Sequence, residues 1–206
     1  EIVIDDPELR QEWSTGRQAV LLETHSDAVA YRARQLAEDV GLAESLVGAL
    51  ETAGRLHDAG KADIRFQVGR LGGDGKTLLA KSGTRSAQTT KRRAAEAALP
   101  RGWRHEQLSA AITYANLAED PQRDLATRLV GTSHGRGRPF FPHGSASLVD
   151  DVEDDHVAEA IRALFEAGLG WSAVLESTES NYGAWGCAYL EALIRAADCA
   201  VSKEGS

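Results

Sequence analysis

The stretch AESLVGALETAGRLHDAGK, residues 43–61, carries the most informative pattern in the chain. Its apolar residues recur at helical spacing and predict an amphipathic helix over residues 43–57. The residues on this apolar face are Leu46, Leu50 and Ala53, followed on the same row by His57. Asp58 comes where the helix is expected to end. We expect Gly60 to let the backbone turn there, so that His57 and Asp58 can hold one cation. A His-Asp pair also occurs by chance, so the rest of the chain has to decide between these interpretations.

Helical periodicity recurs along most of the chain, and patterns typical of strands are scarce. The further segments with a helical pattern are 26–40, 105–118, 121–133, 156–167 and 184–201. Extended chain is indicated only at residues 2–4 and 19–22. The sequence therefore predicts an all-α fold, a helical bundle with long connecting loops at 69–100 and 135–150.

Length and composition indicate one ordinary globular domain. The chain has 206 residues, of which 42% are apolar and 26% charged, and a domain typically needs roughly 100–200 residues. Its apolar runs are too short to span a bilayer, so we expect no membrane association. Cys187 and Cys199 form neither a CxxC pair nor a disulfide framework, which favours reduced thiols and a cytoplasmic location. Because the chain starts at Glu1 and lacks methionine, we expect a domain excised from a longer polypeptide.

The charge is distributed very unevenly. The net charge of the chain is −8, but residues 61–104 alone carry +8, which leaves −16 on the remainder. A basic segment of this kind is typical of a surface that binds a polyanion, although a solvated basic loop has the same composition. The residues predicted to contact a nucleic-acid backbone are Lys91, Arg92 and Arg93 in this segment, and Arg136 and Arg138 in the later loop GRGRPFFP. In that loop, Phe140 and Phe141 could either stack on bases or pack locally.

Other ionisable side chains fall at helix ends and on helix faces. His25 and His105 are expected near the starts of two helices, and His134 near the end of another. Asp198 shares a helix row with Leu190 and Ile194, where an unpaired carboxylate would be costly. Imidazoles and carboxylates that converge in a helical bundle can bind a transition metal. Each histidine taken alone is equally consistent with an ordinary helix-end residue.

Taken together, the ordered pattern resembles the metal-dependent phosphohydrolases of the HD superfamily. The pattern runs His25, His57-Asp58, His105, His134 and Asp198. Its local motifs more narrowly resemble the HD nuclease domain of the CRISPR-associated helicase-nuclease of type I systems. These motifs are HDAGKAD (57–63) with Phe66-Gln67, Arg104-His105-Glu106 with Ser109, Ser133-His134-Gly135, and Ala197-Asp198. The resemblance covers residues 20–202 and implies one HD domain over residues 1–206, taken from a helicase-nuclease polypeptide.

The resemblance also implies a centre of two metal ions. In that family pattern the first ion is held by His25, His57, Asp58 and Asp198. The second is bridged through Asp58 and held by His105 and two consecutive histidines, where this chain has Ser133 and His134. A serine hydroxyl is a poor substitute for an imidazole, so we expect one tight site and a second site weakened by Ser133. The histidine-rich ligand set favours Mn, Fe, Co or Ni.

The function implied by the resemblance is metal-dependent hydrolysis of DNA phosphodiester bonds, preferring single strands, in CRISPR interference as an antiviral defence. Asp58 would act as the bridging ligand, and Lys61 would stabilise charge in the transition state. The implied partners are single-stranded DNA, a helicase domain in the same or a separate chain, and a crRNA-guided surveillance complex. Two alternatives stay open: an HD-type nucleotide phosphohydrolase or cyclic-nucleotide phosphodiesterase, and a catalytically degenerate HD binding module.

Overall fold

The fold is all-α, as the helical periodicity predicts. The computed structural model describes residues 19–83, 99–100, 103–141, 143–149, 152–166 and 169–205. The helices in these ranges are α1 (Leu22–Asp39), α2 (Glu44–Leu56), α3 (His105–Asn116), α4 (Arg123–Gly131), α5 (Ala146–Val149), α6 (Asp155–Phe165) and α7 (Leu169–Glu204). The remaining elements are a 3₁₀ turn (Ala59–Ala62), a π-helical turn (Phe66–Leu71) and two short antiparallel strands, β1 (Val20–Leu21) and β2 (Leu79–Lys81).

The first hydrophobic core lies between α1, α2, α4 and α7. Its fully buried residues include Val29, Leu50, Leu129 and Ile194. Gly54 lets α1 and α2 approach closely, because a Cβ at this position would lie only 2.9 Å from Ala30 Cα. The C-terminal end of α2 is thereby fixed beside the first turns of α1.

A second core joins α3 and α6 to the segments around them. It includes Phe66, Trp103, Leu108, Ile161 and Trp171. The Trp171 indole Nε1 donates a hydrogen bond of 2.6 Å to the carbonyl oxygen of Gly137. The loop that follows α4 is therefore attached to the N-terminal part of α7, and this attachment fixes the chain just beyond His134.

Helix α7 consists of two helical halves separated at Gly183, where φ is +70° and ψ is 161°. The predicted start at residue 184 therefore matches the second half, whereas the first half, from Leu169, was not predicted. The first half buries Trp171, Val174 and Thr178 on one face, so tertiary packing stabilises a segment whose composition is largely polar. In spite of its length, α7 has no stretch apolar enough to cross a membrane, and neither has any other described helix.

The predicted loops also contain short regular elements. The segment 69–100 includes the end of the π-helical turn and β2, and residues 84–98 lie outside the described part of the chain. The segment 135–150 includes α5. Of the predicted extended chain at residues 19–22, Val20–Leu21 form β1, whereas Leu22 already begins α1. Residues 2–4 lie outside the described residues.

Candidate metal centre

Six residues predicted to be ligands lie in two adjoining groups at one end of the α1–α2–α7 core. The first group is His25, His57 and Asp198, and the second is Asp58, His105 and His134. Within each group, one ligand atom from every residue lies within 4.8 Å of the others. Either group can therefore hold a metal ion, although the residues come from distant parts of the sequence.

The first group surrounds a carboxylate oxygen of α7. Asp198 Oδ1 lies 3.2 Å from His25 Nε2 and 3.9 Å from His57 Nε2. A fourth donor adjoins the group, because Asp58 Oδ2 lies 3.4 Å from His57 Nε2 and 3.7 Å from His25 Nε2. This group therefore has four nitrogen and oxygen donors directed at one position.

The second group faces the other oxygen of the same aspartate. Asp58 Oδ1 lies 3.0 Å from His105 Nε2 and 4.0 Å from His134 Nε2. The two Nε2 atoms are themselves 3.1 Å apart, with the rings nearly perpendicular. Asp58 thus directs one carboxylate oxygen to each group, which is the arrangement of a bridging ligand.

The local backbone explains how consecutive residues reach the site together. Helix α2 ends at Leu56, His57 keeps helical angles, and Asp58 leaves the helix at φ −106° and ψ 6°. The backbone turns here as a 3₁₀ turn that contains Gly60, and Gly60 does not need the positive φ that favours glycine. Its role is contact: a Cβ there would collide with the His105 carbonyl oxygen, and its N–H donates to Ser109 Oγ at 2.8 Å. The missing side chain lets the His-Asp segment dock on α3.

The ligand atoms fit a metal ion. His57 Nδ1 donates a hydrogen bond of 2.7 Å to the Gly54 carbonyl oxygen, which leaves the lone pair on Nε2. That Nε2 is buried and has no hydrogen-bond partner among the described residues. A buried acceptor of this kind is costly unless something binds it. Imidazole nitrogens combined with carboxylate oxygens are donors that suit a divalent transition metal.

The electrostatics of the site keep both carboxylates ionised. Burial raises the pKa of Asp58, but the charges of His57 and Lys61 outweigh burial and hold this pKa well below its usual range. Burial likewise opposes ionisation of Asp198, yet its hydrogen bond to His25 and the charge of His57 lower its pKa. For His57 the balance runs the other way: burial lowers the pKa, whereas the Asp58 carboxylate raises it to a net value above normal. The carboxylates are thus in the form that binds metal.

Lys61, predicted to be catalytic, lies directly beside the bridging aspartate. Its Nζ is 3.0 Å from Asp58 Oδ2 and donates to the Ala80 carbonyl oxygen at 3.2 Å. Through this contact β2 adjoins the site. The sequence interpretation placed the residues of β2 within a loop. Lys81, at the end of β2, is half-buried, and burial lowers its pKa although the Asp198 charge opposes this. The short apolar run Leu78-Leu79-Ala80 was the only sequence pattern that could have indicated this strand.

Ser133 and His134 follow the end of α4. The helix ends at Gly131, two residues before the predicted end, so His134 reaches the site from a turn. Ser133 is buried, and its Oγ has no hydrogen-bond partner among the described residues. The second group therefore contains one imidazole from this turn and an unsatisfied hydroxyl next to it in sequence.

Glu106 adjoins His105 of the second group and was given no role by the sequence interpretation. It is fully buried, and its Oε1 accepts a hydrogen bond of 2.7 Å from Arg104 Nε. Its Oε2 lies 3.7 Å from His105 Nδ1, which is within ion-pair range but too far for a hydrogen bond. The only sequence feature that could have drawn attention to Glu106 was its place within the Arg104-His105-Glu106 triplet.

The predicted substrate-binding residues lie in different surroundings. Arg136 is exposed, whereas Arg138 Nη1 lies 2.9 Å from Glu191 Oε2, so its charge is already paired. Phe140 is 71% exposed, but Phe141 packs in the second core against Phe165 and Trp171. Stacking of bases on Phe141 is therefore excluded. The three remaining predicted contacts lie outside the described residues; they are Lys91, Arg92 and Arg93.

Comparisons with family models, with curated proteins and with solved structures returned no match. The assignment of the site consequently depends on the ligand geometry and on the sequence motifs.

Proposed function

We propose that the chain is a metal-dependent hydrolase that cleaves phosphodiester bonds of DNA, with a preference for single strands, and that it acts in CRISPR interference. The observation that carries this proposal is the convergence of His25, His57, Asp58 and Asp198 with His105 and His134. The sequence motifs that single out these residues also match the HD nuclease pattern in order. A purely structural role would not require a buried nitrogen lone pair without a partner, such as that of His57 Nε2.

The chemistry of the site agrees with phosphodiester hydrolysis. A divalent metal ion in a site of this kind supplies Lewis-acid activation of water and of the phosphate. Asp58 would contribute one carboxylate oxygen to each group, with His25 near one oxygen and His105 near the other. Lys61 places an ammonium group beside Asp58, where it can offset negative charge that develops on the phosphate.

The donor sets support unequal metal affinities. The first group, together with Asp58 Oδ2, offers four donors, whereas the second group offers three. Next to the second group, Ser133 stands where a further imidazole would supply a fourth donor. We therefore propose one tight site and one weakened site, filled by Mn, Fe, Co or Ni in preference to Mg, which favours oxygen ligands.

Polynucleotide as the substrate is supported by the charge distribution. Residues 61–104 carry +8 on a chain whose net charge is −8, and part of this segment, Lys61 and Lys81, adjoins the candidate centre. The same resemblance supports a helicase domain, in this or a separate chain, and a crRNA-guided surveillance complex as partners. Together these partners would expose the single strand that is cut.

The decisive experiment is a substrate panel with metal-stripped protein reloaded with Mn²⁺, Fe²⁺, Co²⁺, Ni²⁺ or Mg²⁺. We expect single-stranded DNA to be cleaved with the transition metals, double-stranded DNA to be cleaved more slowly, and neither after chelation. Hydrolysis of nucleotides or cyclic nucleotides with intact DNA would favour a small-molecule phosphohydrolase instead. Stoichiometric metal without any hydrolysis would favour a binding module.

The basic segment has its own test, binding of single-stranded DNA across a salt series without metal. Counterion release makes affinity fall as salt rises, with a slope of about −0.7 for each phosphate contact. Substituting Lys91, Arg92 and Arg93 by alanine together should flatten this slope by up to about 2 and leave metal content unchanged. An unchanged slope and cleavage rate would mean that this segment is a solvated loop.

A further inference from the structure

An arginine on α7 lies at the edge of the candidate centre, and the motifs discussed so far give it no role. Arg195 precedes Asp198 by three residues, which places both on neighbouring positions of the helix surface. Its Nη1 lies 3.5 Å from the position of a Cβ built on Gly135, the residue directly after His134. The guanidinium therefore lies between a helix that supplies the first group and a turn that supplies the second.

The charge of Arg195 is available, in contrast to most arginines of the described chain. Arg195 is exposed, and no described carboxylate lies within ion-pair distance of it. Arg128 and Arg138, by comparison, are both paired with Glu191. Of the two lysines that adjoin the centre, Lys61 is buried against Asp58 Oδ2 and Lys81 is half-buried.

The position of Arg195 suits an anionic substrate. The charge of Lys61 is already paired, because its Nζ lies 3.0 Å from Asp58 Oδ2. A guanidinium next to Gly135 and Asp198 can add two parallel N–H donors that match the geometry of phosphate oxygens.

We infer that Arg195 binds a phosphate group of the nucleic-acid strand and holds the strand beside Gly135, next to His134 of the centre; the inference rests on the proposed nuclease function. Arg195 is a positioning residue for a phosphate next to the centre, and it is not a metal ligand. Its removal should weaken binding of the strand while leaving the metal groups as they are.

The test compares Arg195→Ala with the matched control Arg162→Ala. Arg162 is an exposed arginine of α6, a helix that contributes no residue to either group. Arg195→Ala should raise the KM for a single-stranded oligonucleotide about ten- to a hundred-fold, with a much smaller change in kcat. It should also reduce the salt slope of metal-free binding by about 0.7. Arg195→Lys should recover part of the affinity, and Arg162→Ala should resemble the unmodified protein.

The outcomes separate this inference from the proposed function. If the unmodified protein cuts single-stranded DNA and Arg195→Ala matches it in KM and salt slope, the Arg195 assignment is wrong and the nuclease proposal stands. If the unmodified metal-loaded protein neither binds nor cuts DNA, both are wrong. A loss of metal content in Arg195→Ala, measured by elemental analysis, would instead make Arg195 a structural support of the centre and would overturn the assignment.

Discussion

Helix α7 supplies a buried or partly buried carboxylate to each of two polar clusters, Glu191 to one and Asp198 to the other, and the two clusters are built in opposite ways. Glu191 lies in an arginine cluster, where its oxygens are 2.8 Å from Arg128 Nε and 2.9 Å from Arg138 Nη1. Asp198 lies in the metal centre, where His57 Nε2 has no hydrogen-bond partner among the described residues. Two acidic residues seven positions apart on one helix thus have different surroundings.

The difference indicates that the arginine cluster stabilises the fold, whereas the candidate metal centre is arranged to bind a ligand. Arg128 donates further hydrogen bonds to Thr178 Oγ1 and to the Leu175 carbonyl oxygen, at 2.9 and 3.1 Å. This saturated network joins α4 to both halves of α7. The candidate metal centre leaves His57 Nε2 without a hydrogen-bond partner among the described residues, which costs stability unless an ion binds. The comparison therefore predicts loss of activity from one cluster and loss of stability from the other.

The largest effect is expected for Asp58→Ala. Since Asp58 faces both groups, its removal should reduce cleavage of single-stranded DNA by at least about a thousand-fold, equivalent to several kcal/mol of transition-state stabilisation. Circular dichroism should still report a helical fold. Asp58→Asn preserves the shape of the side chain and serves if the alanine variant is unstable. Full activity in either variant at matched metal content would refute the site assignment.

The opposite behaviour is expected for Arg128→Met. Removing a buried charge leaves Glu191 short of one partner, which should lower the free energy of unfolding by about 3 kcal/mol or more. Metal stoichiometry and the cleavage rate of the folded protein should change little. Chemical denaturation and elemental analysis provide the two measurements. The double variant Arg128→Met with Glu191→Leu should recover part of the stability, because it leaves less buried charge unpaired. Loss of metal without loss of stability would contradict the distinction between the clusters.

These two clusters also differ in how well the sequence predicts them. The ligands of the metal centre could be found because His57-Asp58 is distinctive and because His25, His105 and His134 fall in a recognisable order. Only a few residue types bind metal ions well, so the ligand pattern can be recognised from the sequence without a structure. All six ligands predicted from these motifs meet in the structure.

The arginine cluster has no comparable pattern. Arg128 and Glu191 are 63 residues apart and are common surface residues, so nothing in the sequence distinguishes them from solvated charges. Their burial follows from the packing of α4 on α7, which is a tertiary property. The first half of α7 was missed for a related reason: tertiary packing of Trp171 and Thr178 stabilises it, and Gly183 is a real boundary between it and the second half.

A smaller effect is expected within the metal centre for Ser133→His. Ser133 is buried and directly precedes His134 in the sequence. The second group has three donors, whereas the first has four when Asp58 Oδ2 is included. A further imidazole should therefore tighten binding of the second ion about ten-fold or more. Calorimetric titration of metal-stripped protein with Mn²⁺ measures both affinities. Two equally tight sites in the unmodified protein would show that Ser133 costs nothing, and Ser133→Ala controls for loss of the hydroxyl.

The smallest effect concerns the cysteines, which report on one cluster each. Cys187 is fully buried, and its Sγ lies 3.4 Å from the Thr178 carbonyl oxygen in the arginine cluster. Cys199 follows Asp198 directly and is partly exposed. Burial raises the pKa of the Cys187 thiol, although the Arg128 charge opposes this, so little reactive thiolate forms at neutral pH. A chromogenic disulfide reagent should therefore modify Cys199 first, and Cys187 only when the protein opens.

Arg128→Met makes this assignment sharper because its two consequences for Cys187 have opposite signs. Loss of the arginine charge raises the pKa of the thiol further and would slow the reaction at a given pH. Weakening of the cluster increases local opening and would accelerate it. We expect opening to dominate, so that Cys187 reacts several-fold faster in Arg128→Met while the rate at Cys199 is unchanged. Cys199→Ser assigns the two phases. A slower Cys187 phase would mean that the cluster stays closed without Arg128, and that the arginine acts on the thiol only through its charge.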